Sequence, residues 1–174
     1  QNEPQNAKMF LFSVAPLALA LTTPTNVVLF SGARDLRLHD QPAFAAAAAA
    51  AADGASHGAS HTLAPLFVAE PAALAAASPT YNRWLHASLL ALDAELKASI
   101  CTGLLYAQGD AAEVLPAICN QLNAASVHLL DDDACSPGLE LRDATCAALE
   151  ACDITVYRWR NPLRPDEPWE AEAL

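Results

Sequence analysis

Residues 26–44, NVVLFSGARDLRLHDQPAF, decide the fold. Val27 through Phe30 are four apolar residues that stop at Ser31-Gly32, the length and ending of a strand buried on both faces and closed by a turn. Asp40 is placed to cap a helix, Pro42 is tolerated in its first turn, and the alanine run 45–52 carries that helix to Gly54. Strand, turn and helix make the first half of a βαβ unit.

The pattern repeats outward from there. Residues 63–70 (LAPLFVAE) read as a second buried strand closed by Pro71. Over 80–99, Trp84, Leu85, Ser88, Leu89, Leu92, Leu96 and Ile100 fall at helical spacing, with Arg83, Asp93, Glu95 and Lys97 on the other positions, so an amphipathic helix is expected. Residues 103–108 form a third strand, and Asp110 opens a helix whose apolar face is Val114, Leu115, Ile118 and Leu122. Strand four is expected over 127–130, helix four over 137–151 and strand five over 154–159. Five strands with four intervening helices predict an α/β fold, a doubly wound five-stranded parallel sheet with helices on both faces.

Composition narrows the function. The 174 residues are 53% hydrophobic and 17% charged, which suits one compact domain, and acids outnumber bases 20 to 9 for a net charge of −11. Such a surface repels phosphate backbones, so a general nucleic-acid binder is disfavoured. Cys101, Cys119, Cys135, Cys146 and Cys152 form no C-x-x-C pair and read as buried free thiols of a reducing compartment; no metal site is expected. The chain opens on Gln1, consistent with a processed precursor. Its apolar run from Met9 to Leu21 is too short for a bilayer span, is interrupted by Pro16 and lacks a positively charged lead-in. That run is read as an element that docks on a partner or a membrane interface, or equally as one that packs on its own domain.

In an open parallel sheet the chemistry gathers at the carboxyl ends of the strands, near the switch in strand order. The loop after strand one holds no G-x-G-x-x-G, and no G-x-x-x-x-G-K-[ST] or G-x-S-x-G occurs anywhere. Asp131, Asp132 and Asp133, at the end of strand four, are read as solvated acids rather than magnesium ligands. His57 and His61 lie in a Gly-Ala-Ser-His tandem repeat, read as a flexible loop rather than a metal site. Arg158, Arg160 and Arg164 around Trp159 are the basic cluster, assigned to internal ion pairing or partner docking.

The motif RDLRLHDQPAF at 34–44, after a VVLF strand, resembles the opening of the photolyase and cryptochrome family, whose R-D-L-R-x-x-D-N-P signature differs here only by Gln41. Further stretches fall in the family's order: LAPLFVAEP, RWLHASLLALDAEL and LLYAQGDAAEVLPAI. The resemblance spans about 26–165, the family's N-terminal α/β antenna domain of Rossmann-like topology, leaving 1–25 as an apolar extension and 166–174 as a tail. It implies that flavin chemistry resides in a second, helical domain, which is not expected within these residues. It also implies an antenna pigment of folate or deazaflavin type, for which Arg34, Asp35, Arg37 and Asp40 are the candidate ligands. Two departures, Ser31-Gly32-Ala33 before the motif and Leu129 through Asp133 after strand four, touch the loops beside that pigment. The reading is therefore of a non-catalytic accessory or structural subunit of a larger organellar complex, chloroplast before mitochondrion, with no FAD, no metal and other protein subunits as partners. The alternatives are the antenna portion of a photolyase or cryptochrome, and a small chromophore- or nucleotide-binding protein.

Overall fold

The computed structural model describes residues 23–32, 35–56, 61–131 and 136–160, with the side chains of 55, 56, 131, 136–142 and 160 outside that description. Five strands form one parallel sheet: β1 (Thr25–Phe30), β2 (Thr62–Ala69), β3 (Leu105–Gln108), β4 (Ala124–Asp131) and β5 (Thr155–Arg160). Their order is β3-β2-β1-β4-β5, so the chain steps outward from β1 to β3, returns to the other side of β1 and steps outward again. The switch lies between β1 and β4. The helices are α1 (Pro42–Ser56), α2 (Pro71–Ala76), α3 (Pro79–Ile100), α4 (Ala111–Gln121) and α5 (Ser136–Glu150).

Strand alternation sorts the core into two layers. Val27, Leu66, Ala107 and Val127 meet Leu115, Ile118 and Cys119 of α4 and Leu149 of α5 on one face. On the other, Val28, Phe30, Phe67 and Ala69 meet Ala47 of α1 and Leu85, Leu92 and Leu96 of α3. Each buried leucine of α3 contributes about 1.5–3 kcal/mol of transfer free energy. Pro65 sits in β2 before the point where β3 joins the ladder at Leu66, which limits the loss from its missing N–H.

Several expectations shift by a residue or more. β1 starts at Thr25 because the two polar residues ahead of Val27 are buried and paired: Thr25 Oγ1 lies 2.7 Å from Thr62 Oγ1, and Asn26 bonds Ser126. Gly54 lies inside α1 instead of ending it. Proline 71 opens the short helix α2, none of whose side chains is buried, so no amphipathic pattern announces it. Trp84, expected on the apolar face of α3, is 47% exposed; the buried stripe is Leu85, Leu92 and Leu96. Asp93, expected among the solvent-facing charges, accepts the Leu104 N–H at 2.9 Å and Lys97 Nζ at 2.6 Å, tying α3 to the start of β3. Its carboxyl is held below the usual range, chiefly by the Lys97 hydrogen bond. The cysteines are only partly buried: Cys119 and Cys146 are, whereas Cys101, in left-handed backbone at the end of α3, and Cys152, in the turn after α5, are exposed. All four are free thiols, and Cys135 lies outside the described residues.

Candidate functional site at the sheet switch

The loop after β1 turns on Gly32, whose φ of +105° is left-handed territory and whose missing Cβ would lie 3.2 Å from Phe67 Cε2 and 3.3 Å from Leu85 Cδ1. Asp35, 1% exposed, braces that turn. Its Oδ2 accepts from the Ser31 N–H at 2.6 Å and the Ser31 hydroxyl at 2.9 Å, and its Oδ1 accepts from the Gly32 N–H at 2.8 Å. Both carboxylate oxygens are thus engaged inside the loop. Arg37 Nε donates to Asp40 Oδ1, while His39, largely solvent-exposed, stands 3.8 Å from the same oxygen.

Asp40 does not cap α1. Gln41 does: its carbonyl accepts the Ala45 N–H at 3.0 Å and its Oε1 accepts the Phe44 N–H. Proline 42 takes the first helical position, so the residue before it is the cap, and the Asp40 carboxylate one step earlier turns to Arg37. Gln41 Nε2 is buried without a hydrogen-bond partner. Of the four candidate ligands, Asp35, Arg37 and Asp40 share this loop and Arg34 lies outside the described residues. So do Asp132, Asp133, His57 and Arg164; His61 precedes β2 and is partly buried.

A second polar system crosses the switch beneath α1. Trp159 Nε1 donates to His128 Nδ1 at 3.2 Å, His128 Nε2 meets Ser126 Oγ at 3.1 Å, Ser126 Oγ donates to Asn26 Oδ1 at 3.0 Å, and Asn26 Nδ2 donates to the Ala47 carbonyl at 3.4 Å. Indole nitrogen is a donor only, so Nδ1 of His128 holds the lone pair and Nε2 carries the hydrogen. That tautomer points its hydrogen at Ser126. The serine is therefore not activated as a nucleophile, and at 7% and 3% exposure the pair is closed to substrate. Burial lowers the His128 pKa, in keeping with a neutral ring. Sequence reasoning missed this network, although the Ser126-Val127-His128 spacing puts both polar residues on one strand face.

Elsewhere, a cavity of about 510 Å³ runs along the β2–β3 edge, lined among others by Phe67, Leu74, Leu85, Leu89, Leu90 and Tyr106. Glu70, at the end of β2, has its pKa raised by burial and then by Asp110, which caps α4 through the Ala112 N–H at 2.9 Å. Arg158 pairs with Asp143 of α5 at 3.0 Å, as expected of an internal ion pair. Among the described residues no three His, Cys, Asp or Glu side chains converge as a metal site, and no helix is long and apolar enough to cross a membrane.

In structure the chain is similar to a class III photolyase from Agrobacterium tumefaciens, at 26% identity and a TM-score of 0.63, over 84% of this chain and 27% of that one. It is similar in fold to a Synechocystis cryptochrome (21%, TM-score 0.59, 79% and 28% of the two chains) and to a photolyase of the archaeon Sulfolobus tokodaii (20%, 0.55, 78% and 29%). The chain thus spans just over a quarter of the length of these relatives. Comparison with curated proteins gives no match. The DNA photolyase family model matches residues 26–171, from the second residue of β1 to beyond β5 and including the whole Asp35 loop, and by that match the chain belongs to the DNA photolyase family.

Proposed function

We propose that this chain is a non-catalytic α/β domain of the photolyase and cryptochrome type that serves as an accessory or structural subunit of a larger organellar assembly, in a chloroplast before a mitochondrion. The observation that carries the reading is Asp35. The buried acid of the family motif directs both oxygens at its own loop, so the motif builds a rigid turn instead of presenting a ligand. The Ser126–His128 pair, the one arrangement among the described residues reminiscent of a nucleophile and base, is hydrogen-bonded in the unproductive direction. A flank where Tyr81, Trp84, Leu90 and Tyr106 stay exposed supports a role in contact with other protein.

The folate or deazaflavin that the family resemblance implies does not fit the described part of the motif. Asp35 has no oxygen turned outward, and Arg37 is tied through Nε to Asp40. A second reading, the antenna portion of a photolyase or cryptochrome, is favoured by the match that starts at β1 and covers 27% of the Agrobacterium enzyme. There the neighbour is a flavin-bearing helical domain of the same polypeptide.

Native electrophoresis and intact-mass measurement of the endogenous protein test the proposal. Migration in a complex far heavier than the chain's 18.3 kDa is expected. A free monomer overturns it, and an intact mass that continues into a flavin-binding domain transfers the assignment to the second reading. A native absorption band in the region of about 350–450 nm would overturn the pigment-free part.

A further inference from the structure

We propose that His128 is a pH-sensitive latch that holds the edge strand β5 to the sheet only while its imidazole is neutral. Among the described residues β5 is bonded to the sheet on one side only, through β4. Its aromatic contacts to β4 are the Trp159 indole, hydrogen-bonded to His128 with the two ring planes within 5° of parallel and centroids 6.1 Å apart, and the half-exposed Tyr157 ring at 4.8 Å.

Every hydrogen in the chain from Trp159 to Ala47 is committed in one direction, because the indole cannot accept. A second proton on His128 has one place to go, Nδ1, where it meets the Trp159 N–H head on. The indole must then leave, and the new charge is stranded at a site 3% exposed. Among the described residues the surroundings offer little to offset it. From β1 come Asn26 and Val28, from β4 Ser126, and from β5 Tyr157 and Trp159. From above comes α1, whose one charged side chain, Asp53, lies six residues beyond Ala47, about 9 Å along the axis. Arg158 projects from the opposite face of β5 and meets Asp143.

Burial lowers the folded-state pKa of His128 below that of the unfolded chain. The latch is therefore fully closed above the unfolded value, about 6.5, and weakens as pH falls below it. One extra proton taken up on opening changes the opening equilibrium by at most about tenfold per pH unit.

Nitrogen NMR of the labelled full chain and hydrogen exchange test this together. At pH 7.5 the His128 ring is expected as the Nε2–H tautomer with Nδ1 unprotonated. Between pH 7.5 and 5.5, after correction for intrinsic exchange, amides of 155–160 are expected to lose up to about tenfold of their protection while those of β1 keep theirs. His128→Gln removes that pH dependence. Trp159→Phe, which frees Nδ1, moves the ring's titration to higher pH and serves if the glutamine variant does not fold. An Nδ1–H tautomer at neutral pH, or equal protection of β5 at both pH values in the unaltered protein, overturns the latch.

Discussion

Replacing Asp35 tests whether the family motif is a brace or a ligand site. Asp35→Ala removes three acceptor contacts at once: Ser31 N–H at 2.6 Å, Ser31 hydroxyl at 2.9 Å and Gly32 N–H at 2.8 Å. Their costs differ. Ser31 is exposed, so its two donors turn to water for about 1 kcal/mol together; Gly32 is buried, and its orphaned N–H loses a bond to a charged group worth about 2–3 kcal/mol. The sum is about 3–4 kcal/mol, a large share of the roughly 5–15 kcal/mol that holds a domain folded. Asp35→Asn keeps one oxygen but sets an amide N–H against a backbone donor, for about 1–2 kcal/mol. Urea unfolding followed by circular dichroism reads both. With a slope of about 2 kcal/mol per molar, the alanine variant's midpoint falls by roughly 1.5–2 M at unchanged slope. A fall below about 0.5 M would refute the brace and return Asp35 to the candidate ligands.

Other perturbations probe other levels of the structure. Leu92→Ala, at a site 1% exposed between α3 and the sheet, should cost about 2–5 kcal/mol, whereas Leu90→Ala, 59% exposed two residues earlier, should stay within about 0.5 kcal/mol by the same urea assay. Gly32→Ala forces a side chain into left-handed backbone against Phe67 and Leu85; a loss of about 1–3 kcal/mol, or roughly 3–10 °C in a thermal melt, is expected. Burial pushes the Cys119 thiol up to about 12, so iodoacetamide at pH 8 should label the exposed Cys101 and Cys152 while sparing Cys119 until denaturant is added; mass spectrometry of the native protein decides.

The inner strands β1, β2 and β4 were legible as apolar runs buried on both faces, whereas the half-exposed edge strands β3 and β5, interrupted by Gln108, Thr155 and Arg158, were placed by the alternation of strand and helix patterns. The starts of β1 and β4 were not legible, because Thr25, Asn26 and Ser126 look like loop residues until a partner on another strand satisfies them. The site was legible only as a motif. Sequence placed Asp35, Arg37 and Asp40 in one loop, but the division of labour depends on where each side chain turns. Asp35 folds back, Asp40 takes Arg37, and Gln41, the family's asparagine position, caps the helix. The His128 network had one visible cue, two polar residues at strand period within an apolar run, and its partner Trp159 lies 31 residues away.

The run of alanines in α1 connects the two polar systems. A parallel sheet opens a crevice at its switch because neighbouring strands send their chains to opposite faces, and a ligand ordinarily fills it. Here α1 contacts β2, β1, β4 and β5, lying across the switch. Ala43 and Ala47 are fully buried beneath it, and the small side chains let the backbone come near enough for Asn26 to reach the Ala47 carbonyl. Bulkier residues there would lift the helix and leave Asn26, Ser126 and His128 without a closed circuit. At its N-terminus, just ahead of Ala43, the same helix is capped by Gln41, shortly after the loop that Asp35 closes. The alanine composition, which at first sight says only helix, is thus what lets internal hydrogen bonds cross from β4 through β1 to α1.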